Sequence, residues 1–187
     1  MKKYIAVLFI MLLVIAGCSG NNNVNLAKNY QTVYNTHDAD AVMALMAEDA
    51  VIKTDRKILD TPESIRNMVL YDSSIGTLVE YGEMQALGDS VVFDIVKTSE
   101  WLELAGIDAY HYKKCVMTFE NGLVKKIEAE SAEQTLIQLS KVLQSIAQWM
   151  PDSLAIEIND VIQSGYSADT GERWKKILRQ WRDEIQG

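Results

Sequence analysis

The chain has 187 residues, 48% of them apolar and 24% charged, a balance that excludes disorder, collagen and disulfide-rich scaffolds as descriptions of the whole. A formal charge of −8 and a pI near 4.8 argue against nucleic acid as a partner. Two histidines and two cysteines leave no multi-histidine site and no Cys/His cluster with zinc spacing, so neither metal nor cofactor is expected.

The first element in chain order is a sorting signal. Lys2 and Lys3 precede Tyr4 to Ala16, thirteen residues without a charge. A helix of that length is too short for a hydrocarbon core of about 30 Å and suits the apolar region of a secretory signal. The run ends in Ile15-Ala16-Gly17-Cys18. These features, in this order, resemble the lipobox of bacterial lipoproteins; the other reading is an ordinary signal peptide with a chance cysteine. The resemblance implies that residues 1–17 are removed and that the Cys18 thiol carries diacylglycerol. The new amino terminus would often be acylated as well, and two or three chains anchor a protein where one is marginal. Ser19 stands where an aspartate would signal inner-membrane retention. The implied address is the cell envelope, facing away from the cytoplasm, on the outer membrane if the cell has one. Residues 18–25 read as the lipidated cysteine and a polar tether. With Cys18 lipidated, Cys115 is the single remaining thiol and no intrachain disulfide forms.

Residues 26–132 read as one α+β domain. Leu26, Tyr30, Val33 and Tyr34 share a helical stripe, and Val42, Leu45 and Met46 a second, capped by Thr36 or Asp38. A short strand is expected over Val51 to Thr54. Thr61-Pro62 starts a helix that runs to about Tyr71, with Ile65, Met68 and Val69 inward. The period then becomes two, predicting strands over 77–87, 90–99, 109–120 and 123–130, with a turn at Gly88-Asp89. Asn121-Gly122 is a hairpin signal, because both turn positions need positive φ. That turn sets Glu120 opposite Leu123, and simple alternation sets Val116 opposite Ile127. Cys115, Met117, Phe119 and Val124 then face the core, with Tyr112, Lys114, Val116, Thr118, Lys125 and Ile127 outside. Residues 133–187 form a helical extension: Ser131-x-x-Gln134 suggests a capping box, and apolar stripes follow over 136–146, 154–162 and 174–185.

The order of helices followed by a long antiparallel sheet resembles the nuclear transport factor 2-like fold, and the local phrases resemble its SnoaL-like (polyketide-cyclase-like) branch. The phrases are His37-Asp38, Val42-x-x-Leu45-Met46, Glu48-Asp49-Ala50-Val51, Thr61-Pro62-Glu63-Ser64-Ile65, Trp101-x-x-Leu104-Ala105-Gly106-Ile107 and Asn121-Gly122-Leu123-Val124. The resemblance implies a curved antiparallel sheet wrapped into a cone and closed by the first helices. Members include isomerases, cyclases and epoxide hydrolases as well as modules that only bind, so the fold leaves the function open.

The resemblance also lets the steroid-isomerase set be checked by position. Tyr30 falls at the tyrosine, but the base position falls on Thr54 and the late acid near Cys115, so one of three matches. Tyr30 and Tyr34 are either core residues or cavity donors. Asp94 sits among Val91, Val92, Phe93, Ile95 and Val96; it is either a carboxylate base with a raised pKa or solvent-facing by alternation. His111 is four residues from Cys115, which permits a shared pocket, though an exposed sheet-edge histidine is the commoner case. His37 reads as a helix-boundary residue and Cys115 as a small buried one.

Two function classes follow. In the first, an anchored module binds a small apolar ligand or a partner protein without catalysis, its pocket lined by Tyr30, Tyr34, Trp101, Cys115, Met117 and Phe119. In the second, an isomerase, cyclase or hydratase uses Asp94 or His111 as base and Tyr30 as oxyanion donor. The outer sheet face (Tyr112, Val116, Ile127) offers a homodimer surface. The last helix, locally basic in an acidic chain, either lies on an anionic membrane or packs on the domain.

Overall fold

A two-residue period between two helical regions separates the chain into a sheet and its flanking helices. The computed structural model describes residues 22–186. The expected signal and Cys18, the expected lipidation site, lie outside them. Helix α1 spans 22–34 and takes in residues 22–25, which the sequence reading gave to the tether. Those residues are held: Val24 packs against the core and the Asn23 amide donates to the Gly88 carbonyl at 3.2 Å.

Short helix α2 (Ala39–Met43) follows, with Asp38 as its N-cap accepting from two backbone N–H groups. Strand β1 (Met46–Thr54) is longer than expected, starts at a residue read as helical, and pairs with β2 (Ile58–Leu59). Helix α3 (Pro62–Ser74) starts as predicted, with Thr61 and Ser64 forming a reciprocal capping box and Pro62 in the first turn. It runs three residues past Tyr71. The single strand expected over 77–87 is two, β3 (Leu78–Tyr81) and β4 (Gln85–Leu87), both pairing with β5 (Ser90–Thr98). Helix α4 (Glu100–Leu104) leads to β6 (Tyr110–Glu120) and β7 (Leu123–Ser131). Their turn is the predicted one, Asn121 at φ 53° and Gly122 at φ 81°.

The strand order is β2-β1-β7-β6-β5-β3, with β4 also on β5. The sheet is mixed, since β1 runs parallel to β7 while every other pair is antiparallel. The chain has the α+β architecture of a curved sheet closed by N-terminal helices, with a helical extension.

Two bulges change which residues face inward. In β6 an extra residue at Lys113 breaks the register between Tyr112 and Lys114, and in β7 one at Lys125 breaks it between Val124 and Lys126. Each bulge falls at a pair of adjacent lysines, Lys113-Lys114 and Lys125-Lys126. Strict alternation would bury one of each pair; the bulge keeps both ammonium groups outside, where Lys113 meets Glu130 and Lys126 meets Glu128. Cys115, Met117, Phe119 and Val124 are buried as expected. Tyr112 and Ile127 turn inward as well, and Met117 rather than Val116 faces Ile127. The dimer face read from the sequence therefore keeps only Val116 of its three named residues.

The extension is helices α5 (Glu133–Trp149), α6 (Asp152–Ser164) and α7 (Ala168–Gln186). No capping box starts α5: its N-cap is Ala132, and Ser131 stays in β7 with its hydroxyl on that of Tyr110 at 2.7 Å. There are two cores. One fills the cone; the other joins Leu102, Leu104 and Ile107 to Leu139, Ile146, Val161, Ile177 and Leu178 of the extension. Three of the five basic residues of α7 pair with carboxylates of the protein. Arg173 pairs with Asp160 at 2.7 Å, Lys175 is buried between Glu100 and Glu172, and Arg179 also reaches Glu100. This arrangement matches packing on the domain rather than on lipid.

Candidate functional site

Helix α3 carries Ile65, Val69 and Asp72 at spacings of four and three, so the stripe that buries two aliphatic side chains also buries a carboxylate. Asp72 is 4% exposed. On β5 the inward phase is Val91, Phe93, Ile95 and then Lys97. The two meet: Lys97 Nζ donates to Asp72 Oδ1 at 2.8 Å and Oδ2 at 2.9 Å. The Tyr34 hydroxyl donates to Oδ2, and the Thr77 hydroxyl to Oδ1 at 3.3 Å. The charge of this carboxylate is thus met by an ammonium group and two hydroxyls, which is what permits its burial. Burial and then the Asp72 charge push the Tyr34 phenol well above its ordinary range, so it stays a donor.

Two chambers meet at this cluster. The inner one, about 90 Å³, lies inside the cone and is lined by Tyr30, Tyr34, Ile52, Tyr81, Ile95 and Ile127 among others. The outer one, about 440 Å³, lies between the cone mouth and the extension. Thr54, Met68, Asp72, Lys97 and Tyr112 line both. The outer chamber has six aromatic walls: Tyr71, Trp101, Tyr110, Tyr112, Tyr166 and Trp174. Several of these rings pair, Tyr71 with Tyr166 at 5.1 Å, Tyr110 with Tyr112 at 4.9 Å, and Trp101 edge-on to Trp174 at 6.3 Å. The extension closes the far side with Leu139, Leu143 and Ile162. Its volume is within the range of small-molecule sites, about 300–1,000 Å³.

The residues singled out by sequence divide into three places. Tyr30 and Tyr34 line the inner chamber, stacked at 5.8 Å, and Trp101 lines the outer. Cys115, Met117 and Phe119 are core residues that line neither chamber. Asp94 and His111 are exposed. Asp94 lies over Gly82, where an added Cβ would sit 2.0 Å from its Oδ1. His111 is placed outward by the Lys113 bulge, beside Thr135 of α5, so it shares no pocket with Cys115. Neither candidate base converges with Tyr30. His37 is a boundary residue as expected, at φ 63° with its ring on the Thr77 carbonyl. Among the described residues no group of three or more His, Cys, Asp or Glu could hold a metal ion.

Burial pushes the Cys115 thiol up to about 12. Near pH 8 only about one thiol in ten thousand would be thiolate, against about a quarter for an ordinary cysteine. In residues 19–187, where Cys115 is the sole thiol, a disulfide reagent should label the folded protein at least about a hundredfold more slowly than the urea-unfolded chain. Equal rates would mean that the thiol is exposed.

Asp72 and Lys97 were missed by the sequence reading. The signal for Asp72 was its place one helical step beyond Val69; the signal for Lys97 was a lysine on the inward phase of a strand.

No protein-family model and no curated protein matches the chain. Solved structures do. The epoxide hydrolase/cyclase-like enzyme SalBIII, from pyran-ring formation in the polyether salinomycin, is 16% identical with a TM-score of 0.55, over 62% of this chain and 94% of that one. An LEH-like epoxide hydrolase from M. tuberculosis is 12% identical with a TM-score of 0.54, over 68% and 96%. An NTF2-like protein of unknown function from Cytophaga hutchinsonii is 11% identical with a TM-score of 0.51, over 62% and 94%. Identities this low speak to architecture alone, and on that the structural neighbours agree with the topology: the chain has the nuclear transport factor 2-like fold.

Proposed function

We propose that this protein is a lipid-anchored component of the cell envelope that holds a small, largely apolar molecule in the outer chamber without transforming it. The observation that carries this reading is the chamber itself: about 440 Å³ with six aromatic walls, and no acid or base left free among the carboxylates and amines that line its floor. Asp72 and Lys97 are bound to one another, and Asp94 and His111 lie elsewhere. An isomerase-type mechanism built on Asp94 or His111 with Tyr30 draws no support from these positions. The anchor rests on the lipobox-like residues that end at Cys18. Among the described residues no helix is long and apolar enough to cross a membrane.

The binding half is tested by native mass spectrometry of residues 19–187 purified gently from the protein's own kind of cell. A retained adduct of a few hundred daltons is expected; a clean mass of the bare chain overturns this half. The anchor half is tested by fractionation, since Cys18→Ser should move the full-length protein out of the lipid-modified form. An unchanged mass at the amino terminus would overturn it.

A further inference from the structure

We propose that the molecule held in the outer chamber is an amphiphilic monoanion, an aromatic or otherwise flat apolar body with one carboxylate, whose carboxylate is bound by Arg56 and Lys97. The inference rests on the binding reading above and adds the chemical class. Three charged residues line the chamber, Arg56, Asp72 and Lys97, and they sum to one positive charge in a chain of formal charge −8. The hydrogen-bond inventory points the same way. Asp72 accepts two bonds from Lys97, one from Tyr34 and one from Thr77, which uses its acceptor capacity. Lys97 spends two of its three N–H donors on Asp72, and its side chain remains 22% exposed on the chamber. Arg56 forms no ion pair among the described residues. The neighbouring Asp55 is occupied, its Oδ2 accepting the Ser131 N–H at 2.6 Å. The lining of the chamber therefore offers unspent donors on Arg56 and Lys97 and a surplus positive charge, while the acceptor sites of Asp72 are filled. A guanidinium can bind a carboxylate through two parallel N–H···O bonds and an ammonium adds a point charge, so the two together suit a single carboxylate. The six aromatic walls take the flat body.

The test uses residues 19–187, which retain every described residue of the fold, after any co-purified molecule has been removed on a hydrophobic resin. The probes are 1-pyrenebutanoate and 1-pyrenebutanol, which share a body and differ in charge, titrated by fluorescence. The expected result is that the acid binds about tenfold more tightly than the alcohol. Arg56→Gln, an exposed position, should remove most of that difference and leave the alcohol unchanged. Equal binding of acid and alcohol overturns the proposal, as does an Arg56→Gln that weakens both alike. If neither probe binds, the proposed class is overturned while an adduct in the native mass spectrum still upholds binding. If the spectrum is also bare, the binding reading has failed with it.

Discussion

Asp72→Ala is expected to destabilise the protein by about 3 kcal/mol, the low end of what breaking a buried ion pair costs. The loss has named parts. The Lys97 ammonium loses both of its acceptors, and the Tyr34 hydroxyl, buried on α1, loses the oxygen it donates to. Lys97 reaches the outer chamber and can recover water there, which places the figure at the low end. Two companion variants separate charge from packing. Asp72→Asn keeps the volume and one acceptor oxygen, so it should lose less. Asp72→Leu with Lys97→Met removes both charges and should be milder than Asp72→Ala alone, because no unpaired charge is left behind. Urea unfolding of residues 19–187 reads all three. An unfolding free energy for Asp72→Ala within about 0.5 kcal/mol of the parent would show that the pair does not hold the cone mouth.

Gly171→Leu should destabilise the protein by about 1–2 kcal/mol by a different route, the overpacking cost offset in part by the loss of a helical glycine. Gly171 lies inside α7, where glycine is about 1 kcal/mol worse than alanine. Its place follows from the crossing with α3: a Cβ there would sit 1.9 Å from Ser74 Oγ and 3.1 Å from Ile75 Cγ2. Ser74 cannot simply turn away, since its hydroxyl donates to the Tyr71 carbonyl at 2.7 Å. A leucine must push the helices apart, and overpacking of this kind costs about 1–3 kcal/mol. The separation would also open the outer chamber, whose walls come from both sides of this contact. The expected signature is faster hydrogen exchange across α5–α7 and loss of the near-ultraviolet signal of the Trp101–Trp174 pair. The cone strands should keep their protection. Unchanged exchange in α5–α7 would mean that the close approach is dispensable.

Local chemistry was legible in the sequence and long-range packing was not. Thr61-Pro62 and Asn121-Gly122 fixed their elements because each signal acts within four residues. Cys115, Met117, Phe119 and Val124 were correctly placed inside, since they lie between the two bulges or beside one. Tyr112 and Ile127 were misplaced because one inserted residue reverses every side chain beyond it; the same insertion turns His111 outward, the commoner of the two readings it had. The adjacent lysines at 113–114 and 125–126 were the visible marks of those insertions. Asp72 was lost by ending α3 at Tyr71. The outer chamber had no local signature at all: it exists because α5, α6 and α7 fold back over the cone mouth, and the residues that hold them there, such as Gly171 against Ser74 and Lys175 against Glu100, are about 75–100 residues apart in the chain.

The central claim is that cone and extension together form an occupied chamber with Asp72 and Lys97 at its floor. A crystal structure of residues 19–187, grown from protein purified with its co-purified molecule retained, tests it most directly. The account predicts continuous non-water density among Tyr112, Tyr166 and Trp174, with its polar end at Lys97. A chamber holding only ordered water, or an extension docked away from the cone mouth, would contradict it.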